Sequence, residues 1–143
     1  MVEMNDRERG LLTDLRHALL HLHKTLLDWE RTAYERIHGR VAGHRLLHAI
    51  LNDPQFAWLR PLSELIVRID EVLEHESPDQ PGDVEAMIAE ARALVSPEEP
   101  SGPYGQRYRE ALQDHPDAVL AHREVTLLLK KTRDAALPSQ RPQ

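Results

Sequence analysis

Leu12, Leu15, Leu19, Leu22, Leu26, Trp29 and Ala33 recur at alternating steps of three and four. Each residue of an α-helix advances about 100° around the axis, so this spacing gathers all seven side chains into one stripe. Leu11, Ala18 and Ile37 widen the stripe at its edges, which predicts a helix packed lengthwise into a globular bundle rather than a narrow two-stranded coil. Asn5 followed by Glu8 has the spacing of a capping box, which starts the helix near Asp6, and Gly39 follows its expected end at His38.

Shorter amphipathic segments follow. A second helix is expected over residues 41–51, with Leu46, Leu47, Ile50 and Leu51 on one side, and Asn52-Asp53-Pro54 ends it. Asp53 can cap a single turn over residues 54–59, after which Pro61 is expected to force Arg60 out of helical geometry. Residues 62–76 carry the stripe Leu62, Leu65, Ile66, Ile69, Val72 and Leu73 opposite Glu64, Arg68, Glu71 and Glu74. Residues 83–95 turn Val84, Met87, Ile88, Ala91, Leu94 and Val95 inward. The breaker-rich stretches 77–82 and 96–103 read as loops. A short helix around Tyr104, Tyr108, Ala111 and Leu112 precedes a last helix from Pro116 to about Leu137.

No segment alternates with the period of two that a strand requires, and no repeat of solenoid length occurs. The expected fold is all-α: an antiparallel helical bundle of about four main helices plus one or two short helices. It forms a single domain over residues 1–137, with a disordered tail at 138–143. At 143 residues and 41% apolar content, the chain has enough core for one domain without metal or disulfide staples.

Composition narrows the chemistry. With no cysteine, thiolate zinc sites, iron–sulfur clusters and thiol nucleophiles are excluded. The first residues lack a basic stretch leading into an apolar run, and no apolar run approaches membrane-spanning length, so the expectation is a cytoplasmic protein that does not engage a membrane. The net charge of −6 is uneven: residues 61–100 hold two Lys/Arg against eleven Asp/Glu, whereas the flanking thirds are slightly basic. An acidic middle third argues against nucleic acid as partner, because phosphate binding needs a concentrated basic surface. It suits a basic protein partner, with Glu71 and Glu74 on the exposed side.

Nine histidines invite a metal reading. His17 with His21, and His44 with His48, have the i, i+4 spacing that lets two rings reach one ion if a third ligand arrives from elsewhere. Helical geometry turns His17 and His21 away from the apolar stripe, and places His44 and His48 on the flank of their helix. Glu35 and His38 form the Glu-x-x-His element of di-iron bundles, but it occurs once where such sites need two. His23 and Glu30 border the first stripe, where a partly buried histidine hydrogen-bonded to a carboxylate is expected. No haem attachment motif, nucleophile elbow or phosphate-binding glycine loop is present.

Surface candidates remain. Residues 55–62 concentrate Phe56, the only phenylalanine, with Trp58 and Arg60, either as a partner anchor or as a plug closing the end of the bundle. The last helix has two apolar faces: Ala118, Ala121, Val125, Leu128, Leu129 and Ala136 on one, Leu120 and Leu127 on another that needs a cover such as a second copy. The sequence therefore points to a non-enzymatic interaction or regulatory module with a protein partner, a second copy in a homodimer being one such partner. No cofactor is predicted. The alternative is a bundle binding a metal or haem through His17, His21, His44 or His48, with enzymatic activity left open.

Overall fold

The computed structural model describes residues 4–75, 83–96 and 102–140, with side chains of the last helix described through Thr132. Six α-helices and one 3-10 helix make up the described chain, and no strand occurs among these residues. They are α1 (Asp6–His38), α2 (Gly43–Asn52), the 3-10 connector (Pro54–Leu59), α3 (Arg60–His75), α4 (Asp83–Val95), α5 (Gly102–Asp114) and α6 (Pro116–Gln140).

The 33-residue α1 begins where its cap dictates. Asn5 Oδ1 accepts the Glu8 N–H at 2.8 Å, and Glu8 Oε1 accepts the Asn5 N–H at 3.2 Å, so two N–H groups without helical acceptors are paired reciprocally. At the other end Gly39 takes φ +81°, a conformation that costs any residue with a Cβ, and its N–H bonds to the Glu35 carbonyl. The stripe of α1 supplies Leu12, Leu15, Leu19, Leu22 and Leu26 to the core, all essentially without solvent contact.

The core extends through Leu62, Leu65 and Ile69 of α3, Met87, Ile88 and Ala91 of α4, Tyr108 and Ala111 of α5, and Ala118, Ala121 and Val125 of α6. Helix α1 packs most extensively on α6 and α3, while α4 touches both α3 and α6. The connector meets α1, α2, α3 and α5, and so ties the short helices to the rest.

Two local expectations are corrected. Arg60 is helical, with φ −56° and ψ −43°, and its N–H bonds to the Ala57 carbonyl. Pro61 therefore sits in the first turn of α3, where its missing N–H removes no helical hydrogen bond. The crowding that proline imposes on its predecessor is accepted because Leu59 and Leu62, on either side, are both buried. Helix α2 starts at Gly43 rather than at residue 41 because Val41 is held in the preceding segment: its N–H donates to Glu35 Oε2 and its carbonyl accepts from Arg31, both at 2.9 Å.

At the C-terminus, α6 runs to Gln140, three residues past the expected end at Leu137. Of the expected tail 138–143, residues 141–143 lie outside the described residues, as do residue 76 at the expected end of the third helix, the expected loop 77–82, and 97–101 of the second expected loop. None of the described helices is long and apolar enough to cross a membrane.

Candidate functional site

Glu30 is the most unusual residue in the core: a carboxylate with no solvent exposure. Four residues after Leu26, it continues the buried face of α1 and needs compensation. The Trp58 indole Nε1–H donates to Oε1 at 2.6 Å, and the Gln55 amide donates to Oε2 at 3.1 Å. The Arg107 guanidinium grips both oxygens, at 2.8 and 2.7 Å, with Nε also reaching Oε1 at 3.2 Å. A two-pronged guanidinium–carboxylate pair suits a buried ion pair because it satisfies several lone pairs at once. Burial opposes the charge on Arg107, but hydrogen bonds and attraction from Glu30 and Glu110 outweigh it and hold the guanidinium above its ordinary value.

Aromatic rings enclose this pair. Arg107 lies 4.3 Å from the centre of the Trp29 ring, a cation–π contact, and Trp29 meets Trp58 edge to face at 6.4 Å. The Trp29 indole donates to Asp114 at 2.7 Å. Trp58 then touches Tyr104, which stacks on Tyr108, and the Tyr108 hydroxyl bonds to His122 Nδ1 at 2.6 Å. The cluster links α1, the connector, α5 and α6. Burial pushes the Tyr104 and Tyr108 phenols up and the His122 imidazole down, so both partners of the Tyr108–His122 hydrogen bond are disposed to the uncharged form.

Glu30 does approach neighbouring elements, as its place at the border of the stripe predicts, but the carboxylate is not held by a histidine. Its partners are Arg107, Trp58 and Gln55 rather than His23, whose imidazole is lowered by burial. Arg107 was missed although a signal exists: it lies three residues after Tyr104 and four before Ala111, a charge inside an otherwise buried face. Phe56, Trp58 and Leu59 are buried, whereas Arg60 is exposed.

The histidine candidates lie elsewhere. His17 and His21 are exposed on α1, with His21 Nδ1 3.2 Å from Glu124. His44 and His48 are exposed and line an open cleft with Tyr34, His38 and Arg45. Among the described residues, no three metal-ligating groups converge. Glu35 of the Glu-x-x-His element turns to the Val41 N–H and to Arg31, which hold its carboxylate below the usual range against a partial opposition from burial, and His38 lies over Tyr34. Glu71 and Glu74 are exposed on α3, and Glu71 borders a depression shared with Arg68, His75 and Glu90. Leu120 and Leu127 are 64% and 50% exposed on the outer face of α6.

The arrangement offers strong positioning but little reactivity. The Glu30 carboxylate is saturated with donors, and the Arg107 guanidinium is engaged by Glu30, Glu110 and the Trp29 face. Comparison of the chain with protein-family models, with curated proteins and with solved structures gives no match.

Proposed function

We propose that the protein is a non-enzymatic interaction or regulatory module, an antiparallel frame of four main helices that presents the outer face of α6 to a second copy of the same chain. Cross-helix contacts support the frame. Glu30 meets Trp58 and Arg16 pairs with Asp70, so α3 runs back along α1. Arg68 bonds Glu90 at 2.5 Å, the Arg92 guanidinium donates to the Leu129 carbonyl, and Trp29 and His21 reach Asp114 and Glu124.

The observation that carries the interaction reading is the exposure of Leu120 and Leu127 on a helix whose opposite face is already buried through Ala118, Ala121 and Val125. Their seven-residue separation places them two turns apart in one line, with Val119 also exposed beside them. A two-fold axis at the level between residues 123 and 124 sets Leu120 of one copy against Leu127 of the other. The same operation brings Asp117 of one copy within a turn of Lys131 of the other. Residues 116–131 carry Arg123, Lys130 and Lys131 against Asp117 and Glu124, a near-neutral balance in a chain of net charge −6. Two acidic copies repel least where their surface is locally balanced, and closed two-fold dimers are the commonest assemblies.

The test is the mass in solution across a wide concentration range for the native chain and for Leu120→Lys with Leu127→Lys. The native chain should be a dimer that the double variant converts to a folded monomer. A native chain that stays monomeric would remove this reading.

A further inference from the structure

The cleft between the end of α1 and α2 has a volume of about 570 Å³, within the range of small-molecule sites. Tyr34 and His38 of α1 form one wall, with rings 4.2 Å apart, and His44, Arg45 and His48 of α2 form the other. Positions 44 and 48, and 45 and 48, are helical neighbours at i, i+4 and i, i+3, so the three α2 side chains share a face. Buried Val41 and Ala49 contribute apolar lining.

The donors in this cleft are uncommitted. No hydrogen bond or ion pair to another described residue engages the side chains of His44, Arg45 or His48, all of which are exposed. The one carboxylate lining the cleft, Asp53, accepts the Gln55 N–H at 2.9 Å as the cap of the connector. Asn52 at the rim donates to the His48 carbonyl at 3.0 Å. Residues 34–54 hold Arg36, Arg40 and Arg45 against Glu35 and Asp53, a local excess of positive charge in an acidic protein.

A guanidinium in the cleft repels a divalent cation and attracts an anion. A guanidinium fork beside two imidazoles matches the several oxygens of a phosphoryl group better than the two of a carboxylate. We propose that this cleft binds a small phosphomonoester, its phosphoryl group held by Arg45, His44 and His48 and its organic part lying against Tyr34.

The test titrates the full chain with inorganic phosphate, phenyl phosphate and benzoate, following backbone and imidazole resonances by NMR. The expected result is saturable shifts at His44, Arg45 and His48, with phenyl phosphate bound more tightly than inorganic phosphate or benzoate. Arg45→Gln should weaken phenyl phosphate about tenfold, and His44→Gln and His48→Gln each several-fold. Because these side chains are exposed, the variants should retain the native circular dichroism spectrum. Three outcomes would overturn the proposal: no saturable shift, a response that Arg45→Gln leaves unchanged, or saturation by zinc or nickel where phenyl phosphate gives none.

Discussion

Removing the Glu30 carboxylate takes the acceptor from the Trp58 indole and the Gln55 amide and leaves the Arg107 guanidinium only Glu110 and the Trp29 face. Breaking a buried ion pair from one side costs about 3–5 kcal/mol, and the 30% exposure of the Arg107 side chain places Glu30→Ala toward the lower figure. Urea unfolding of Glu30→Ala, Arg107→Ala and the double variant should show the pair losing less than the sum of the single losses, since the double change strands no charge. Additive losses would mean that the two groups act independently. A second residue-level consequence concerns acid. Burial lowers the imidazoles of His23 and His122, so the unfolded chain takes up protons near pH 6.5 that the folded chain resists. Their contribution to stability is full above about pH 6.5 and is lost as pH falls through the lower folded values. The urea midpoint should therefore drop between about pH 7.5 and pH 5.5, and His122→Gln should flatten part of that slope; an unchanged slope would show that His122 is not involved. Glu30 was recognisable as a polar residue bordering a buried stripe, but its partner was not. Arg107 lies 77 positions away, and spacing within either helix carries no information about which faces meet.

Helix ends show where local chemistry is decisive. The reciprocal bonds of Asn5 and Glu8 depend only on residues three apart, which is why the start of α1 was legible to the residue. Asn5→Ala should cost about 1 kcal/mol, measured by chemical unfolding, with a negligible change arguing that the end of α1 frays regardless of its cap. Asp53 is a similar case, its carboxylate accepting the Gln55 N–H as expected. Pro61 misled because the local rule for pre-proline residues competes with tertiary packing, and here the buried Leu59 and Leu62 win. Helix α2 misled differently. Its periodicity identifies a helix, yet Leu47 and Leu51 remain 56% and 63% exposed, since an apolar stripe specifies a preference for cover without supplying one. Its start at Gly43 follows from the grip of Arg31 and Glu35 on Val41, a contact between segments that periodicity does not encode.

At the scale of the whole molecule, the apolar stripes of α1, α3, α4 and α6 made the all-helical class readable, because each stripe must find another. The same logic identifies what a single copy leaves unsatisfied. The inner face of α6 is committed to the core, while Leu120 and Leu127 face solvent between charges of both signs. Substituting lysine at these two positions touches no buried contact, so the fold should survive while assembly does not. Sedimentation equilibrium of the native chain and of the Leu120→Lys, Leu127→Lys variant decides whether the outer face of α6 joins two copies. The native mass should rise toward twice that of the chain with concentration, and the variant should stay at the mass of one chain. A native protein that remains a single chain throughout, or a variant that dimerises as well as the native chain, would contradict this role of α6.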